Sequence, residues 1–414
     1  MPAPVPHCLA DVHCLPVAGL AALDPGTVAD PGQLVSDAWL APVTDLARSL
    51  LDSAPGEFAT TSYTAAGHTT LLLATPADGH PAWYLRLPDG TPTDPRPATR
   101  PTAVLPLTGA LDLALYRDRD DVQGDRPQYL RALNPGQLCL LHRGATVRFT
   151  GAEDGVQLIP TQLPLDDADP VPLTREAYRA AVEAARARLA DPAPNAAATP
   201  GAWPSEIPDL RTAGLSQIHA QAGALHRLAA ARDLLTYLAH TAVMDPERYE
   251  ASRATLFLDR LVLSRVDECG FEIRLNTDFR PDGQRLPHSH AYPFAARVLA
   301  GGHLHTVHLP TDTGEGPFTS TDTLPAVTTT ELPGSTYTLA PTLVHRSVML
   351  PGTTTLMLRG PHAATDLIPP ASHWPAPVDG DAPVHSRRLT DTEHRRLIAG
   401  LTAAGVIDHL PTFR

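Results

Sequence analysis

The stretch Gly283-Gln284-Arg285-Leu286-Pro287-His288-Ser289-His290 places two imidazoles two residues apart, ahead of an apolar run at 294–299 and the turn Gly301-Gly302. In an extended strand side chains alternate, so residues i and i+2 project from one face. Two imidazoles on the inner wall of a small barrel can then share one metal ion. A third ligand has to come from a later strand crossing the same wall. The segment Pro341-Thr342-Leu343-Val344-His345-Arg346 offers one at a strand start, His345.

Other residues could act beside such a site. His303, His305 and His308 lie on the next predicted strand, and His303 shares a face with His305. If that face is inward, one of the two can serve as a fourth ligand or, as His305, as an acid/base; a structural histidine is the plain alternative. Arg297 and Arg346 flank the histidine motifs, where a guanidinium can bind a substrate carboxylate bidentately or form a structural ion pair. Tyr292 and Tyr337 offer phenols to bound dioxygen or substrate, or are buried structural tyrosines. Glu272, Arg274 and Asn276 alternate with Phe271, Ile273 and Leu275, so one face of that strand is polar and points to solvent or lines the pocket. His7, Cys8, His13 and Cys14 have a metal-binding composition, but their spacing fits no zinc motif and reads as a terminus. His219 and His226, seven apart, share a helix face and read as its polar flank.

The two histidine segments resemble the paired motifs of the cupin superfamily. The first has a Gly, then His-x-His, then a Gly closing the hairpin. Pro333-Gly334 through Pro341 and His345 is similar to the second. The resemblance covers roughly residues 271–360. It implies a small β-barrel with a metal near its mouth, held by His288, His290 and His345. Many cupins add a Glu about four residues after the His pair, where this chain reads Ala291-Tyr292-Pro293-Phe294-Ala295. The site therefore resembles the all-histidine variant of the cysteine dioxygenase-like non-haem iron cupins. Three neutral imidazoles leave the cation its full charge and open positions, which suits Fe(II) chelated by an anionic or thiol-bearing substrate; Zn, Mn, Ni or Cu are not excluded by the donor set.

Composition narrows the rest. The chain has 414 residues, 43% hydrophobic and 19% charged, enough to bury a core. All 32 basic side chains are Arg, which excludes a lysine Schiff base and a phosphate-loop lysine. A net charge of −13 without an Arg-rich run gives no nucleic-acid surface. Four Cys make no disulfide framework. The first residues lack a basic start and an uninterrupted apolar core, and no run of ~18 apolar residues occurs, so we expect no signal peptide, no membrane span and a cytoplasmic protein. Neither a Gly-x-Ser-x-Gly nor a Cys-x-x-Cys appears.

Short apolar stretches broken by Asp78-Gly79, Asp89-Gly90 and Pro135-Gly136 predict strands between residues 56 and 163. From 174 to about 266 the apolar period becomes helical, with a Pro/Ala-rich linker at 191–208, a second helix over 215–241 and a third starting at Asp245-Pro246. Strands return at 271–275, 294–299, 303–309, 335–339, 346–350 and 353–358, with a Thr/Gly-rich loop at 310–330. Thr390 and Glu393 form a capping box for a last helix. The predicted domains are a degenerate barrel at 1–172, a helical region at 173–266, and a metal-binding barrel with a C-terminal helix at 267–414.

The two β regions read as a repeat. Setting Gly109 against Gly302 gives an offset of 193, and Gly136 against Gly334 gives 198. The ligand positions then fall on Pro95, Pro97 and Val147, so the N-terminal copy should hold no metal. The expected fold class is mainly β with a helical insert: two cupin-like barrels, the first degenerate. The expected activity is a mononuclear non-haem Fe(II) oxygenase or dioxygenase acting, with O2, on a small polar or anionic metabolite. Another metal-dependent cupin enzyme (isomerase, lyase or hydrolase with Zn or Mn) and a non-catalytic small-molecule-binding cupin stay open. Exposed sheet edges would allow a homodimer.

Overall fold

Alternation of apolar and polar residues along short strands organises the chain in the computed structural model. It describes residues 40–53, 55–74, 82–99, 101–161, 170–190, 214–255, 258–266, 271–277, 287–290, 292–311, 323–341, 343–361 and 387–410. The chain is mainly β, with two barrel-like units and accompanying helices, the expected class. The units are not contiguous in sequence. One comprises 1–113, 133–196 and 327–329; the other comprises 114–132, 197–326 and 330–414. The contiguous boundaries 1–172, 173–266 and 267–414 do not anticipate this, because single strands pair with elements of the other half of the sequence. Among the described residues no helix is long and apolar enough to cross a membrane. His7, Cys8, His13 and Cys14, the turn Asp78-Gly79 and the linker at 191–208 lie outside the described residues.

In the first unit, antiparallel strands Val171–Pro172, Tyr63–Ala65, His68–Ala74, Ala82–Pro88, Val156–Thr161, Thr102–Thr108 and Cys139–Leu141 lie side by side. Residues 327–329 add to the last of them, with Val327 opposite Leu141. Helices Leu40–Ser53 and Arg175–Ala190 belong to this unit and are tied by Arg48 to the Leu189 carbonyl and by Arg186 to the Leu51 carbonyl.

In the second unit the order is Arg387–Arg388, Arg253–Ala254, Asp259–Val266, Phe271–Thr277, Thr354–Arg359, Phe294–Ala300, Thr336–Leu339 and Tyr129–Leu133. One face of this sheet carries Leu261, Leu263, Ile273, Leu275, Ala295, Leu356 and Leu358, packed on Ile218, Leu225, Leu228, Leu235, Leu397 and Leu401 of the helices. Removing this apolar surface from water, at ~25 cal/mol per Å², stabilises the unit. The other face is polar, and the antiparallel strand pair His303–Pro310 and Val344–Met349 stands against it.

Three expectations change. The helix predicted over 215–241 is two helices, Leu215–Ala230 and Arg232–Thr241, broken where Ala231 adopts φ −81°, ψ 65°. Helical periodicity does not continue to 266, because Asp259–Val266 is a strand whose Leu261 and Leu263 take the helix-facing side. The Thr-rich segment read as a loop contains the strand Thr323–Glu331; threonine's branched Cβ suits a pleated surface.

The repeat is real but shifted by one residue. Gly109 and Gly301, not Gly302, both take a left-handed conformation, φ 64° and 67°. A Cβ at either would meet backbone, Gly155 Cα at 2.7 Å and Thr353 Cα at 2.6 Å. The offset is therefore 301 − 109 = 192, and His288 corresponds to Arg96. The bridge Arg96–Val147 in the first unit then matches the bridge His288–His345 in the second.

Candidate metal centre

Two backbone hydrogen bonds of 2.8 Å join His288 and His345 reciprocally, so these side chains stand next to one another on one surface. This bridge lets a pair two residues apart in sequence meet a histidine from a distant strand. The Nε2 atoms of His290 and His345 are 3.0 Å apart. The ring of His288 lies 4.4 Å from that of His345 and 5.1 Å from that of His290. One ligand nitrogen from each of the three falls within 4.8 Å of the others, and among the described residues this is the only cluster of its kind. His288 and His345 are buried, and His290 is half-buried.

The donor set fits a divalent cation. Two nitrogens bound to one ion at ~2.1 Å and a right angle would be about 3.0 Å apart, the separation His290 and His345 already have. Burial lowers the pKa of His345 well below the usual value, and the neighbouring imidazoles of His288, His290 and His305 lower it further. His290 is lowered in the same way by burial, then by His288, then by the charges of Arg274, Arg260 and Arg359. His290 and His345 are thus held neutral, the form that binds metal.

Behind the three stands a polar chain. His305 Nε2 is 3.0 Å from His345 Nδ1, and His305 Nδ1 faces the Tyr129 hydroxyl at 3.5 Å and Glu331 Oε1 at 3.9 Å. Arg131 pairs with Glu331 at 3.0 Å with neither side chain exposed. His345 can then donate from Nδ1 to His305 and keep the Nε2 lone pair free, as outer partners of metal-binding histidines commonly arrange. His305 is not among the three residues whose nitrogens converge.

The other predicted residues are sorted by strand register. Tyr292 lies beside the triad: its ring is 5.3 Å from that of His290, and its hydroxyl accepts from Arg274 at 3.1 Å. Tyr337 lies on the inner wall, its ring 4.5 Å from that of His305 and its hydroxyl 3.3 Å from His303 Nε2. Arg297 falls on the helix-facing side with Ala295, and donates to the Gly334 carbonyl at 2.9 Å and to Thr336 Oγ1 at 3.1 Å. It fastens a turn and is not brought to the triad. Arg346 sits opposite Thr306, one step from His345 and so on the other strand face. His303 does face inward; His308 is on the opposite face, 3.4 Å from Thr323 Oγ1.

The polar face of strand Phe271–Thr277 lines the interior: Glu272, Arg274 and Asn276 are all buried. Sequence alternation pointed to these residues but not to their direction. Tyr129, Arg131 and Glu331 were missed altogether. The signal for Tyr129 and Arg131 was a two-residue alternation in a segment remote from its partners, 176 residues away in the case of Tyr129 and His305.

The first unit has no comparable centre among the described residues. Its cavity, about 150 Å³, is lined by Arg96, Ala98 and Val147, the positions equivalent to the three histidines, together with His68 and Arg86.

No family model and no curated protein matches this sequence. Among solved structures the chain is similar to oxalate decarboxylase of Bacillus subtilis. A point mutant of that enzyme is 11% identical with a TM-score of 0.21, over 73% of this chain and 76% of that one. The same enzyme at pH 4.6 is 10% identical with a TM-score of 0.21, over 73% and 75%. Likeness at this level carries no argument about function, so the functional reading rests on the site itself.

Proposed function

We propose that the chain is a metal-dependent enzyme of the cupin type, a mononuclear non-haem Fe(II) oxygenase or dioxygenase acting on a small anionic metabolite. The observation that carries this is the convergence of three imidazoles, with no carboxylate among the described residues joining them. When bound, the ion supplies Lewis acidity and, as Fe(II), electron exchange with O2. His288, His290 and His345 would hold it. His305 orients His345 from behind. Phe294, packed 5.0 Å from the His290 ring, keeps one side of the site apolar and excludes water.

A Zn or Mn enzyme using the same ligands as a Lewis-acid site is the alternative. Elemental analysis of protein from iron-supplied cells, beside a His288→Ala variant, tests the site: iron near one equivalent in the parent and little in the variant is expected. Unchanged metal in the variant removes the site. Oxygen uptake on Fe(II) loading with a panel of small carboxylic acids then separates the two chemistries, since a Lewis-acid enzyme consumes none.

A further inference from the structure

The polar face beside the triad holds more positive charge than the described residues balance. Arg260, Arg274 and Arg359 come from three adjacent strands, in register with Asn276, Met357 and Glu272. Among the described residues the carboxylate paired with them is Glu272, 3.1 Å from Arg274 and 3.6 Å from Arg359. Arg359 and Arg274 lie over the Tyr292 ring at 4.3 and 5.6 Å. Arg260 makes no ion pair among the described residues, and its Nε is buried with no hydrogen-bond partner. Burial and the neighbouring guanidinium of Arg274 depress the Arg260 pKa to about 10. Arg260 is half-buried as a residue, and a cation drawn partly out of water is normally paired.

We propose that Arg260, with Arg274 and Arg359, forms the carboxylate-binding subsite of the substrate pocket, its ligand's oxygens taken in the flat fork of a guanidinium while the rest of the molecule reaches over Tyr292 to His290. The face is aimed at the triad, since Arg274 touches Tyr292 and Tyr292 packs on His290. A planar carboxylate matches the fork geometry. Glu272 in the same cluster disfavours a more highly charged phosphate. This rests on the proposed metal-dependent function for its purpose, but not for its test. The role expected of Arg297 and Arg346 passes to Arg274, on the strand whose face reads as polar, and to Arg260 and Arg359, which the sequence did not single out.

Binding of succinate, and of inorganic phosphate as a contrast, is measured by titration calorimetry on protein as purified, with metal content determined on the same samples. Arg260→Gln should weaken succinate binding about tenfold or more, Arg260→Lys should recover part of it, and metal content should stay at the parent level. Without added anion, Arg260→Gln should raise the thermal midpoint, because it removes an uncompensated charge; a structural ion pair would give a fall. The proposal is overturned if the parent binds no succinate, if Arg260→Gln binds it as tightly, if phosphate is preferred, or if the midpoint falls. Should the parent carry no metal yet bind succinate through Arg260, the metal centre fails and the subsite stands.

Discussion

His305 Nε2 stands 3.0 Å from His345 Nδ1, on the side of the ring away from the other two ligands. The contact fixes both the tilt and the tautomer of His345. Removing it leaves the three candidate ligands in place but unlocks one. We expect His305→Ala to weaken metal affinity about 10–100-fold, read by competition with a chromophoric chelator, while His305→Asn, which can still accept from Nδ1, keeps part of it. Equal affinity in both variants and the parent would show that the contact does not position His345.

The Arg131–Glu331 pair is buried on both sides, and Arg131 also donates to the Thr330 carbonyl at 3.2 Å. Breaking one partner strands the other. Glu331→Gln should cost roughly 3–5 kcal/mol in urea unfolding, with Arg131→Met/Glu331→Leu recovering much of it. A double variant as unstable as the single would show that the pair itself, rather than the stranded charge, supplies the stability.

Acid should unfold the protein through its histidines. Burial, and then the charge of Arg131, lower His303 to about 3 from 6.5. Its depressed folded value means the unfolded chain takes up the proton first. Its contribution is therefore complete above pH ~6.5 and falls as pH drops from there to about 3, by up to ~1.4 kcal/mol per pH unit. Urea midpoints measured between pH 7 and pH 4 should fall, and His303→Asn should reduce the slope by close to one proton. An unchanged slope would place the lost stability elsewhere.

Gly301 and Gly405 both have positive φ, 67° and 69°. Only Gly301 of the two has backbone in the way, Thr353 Cα at 2.6 Å from a Cβ, while a Cβ at Gly405 meets nothing within 4 Å. Gly405→Ala should cost about 1 kcal/mol and Gly301→Ala clearly more, measured by thermal denaturation. Equal losses would mean that the turn relaxes around the added atom.

The sequence determined which residues can ligate. His288 and His290 are two apart on extended backbone, and alternation alone puts them on one face. It also showed the repeat of two β regions, because Gly136 and Gly334 recur with positive φ at the same kind of turn. It determined the helix starts at Asp245 and Thr390, whose side chains accept from the backbone as their positions require. These are local properties, set by residue type within a few positions. Only the tertiary structure decided direction and partnership. Alternation says that Arg297 and Arg346 each leave a strand on one side, not that this side faces helices or turns away from the triad. The same pattern left Arg274 and Glu272 equally ready for solvent, until pairing with 354–359 and 259–266 turned them inward. Tyr129 and Arg131 reach His305 and Glu331 only because a strand pairs with one 205 residues away at Thr336. Which side of a strand is inside depends on what covers the other, and here apolar helices cover one face and leave the polar face to the site.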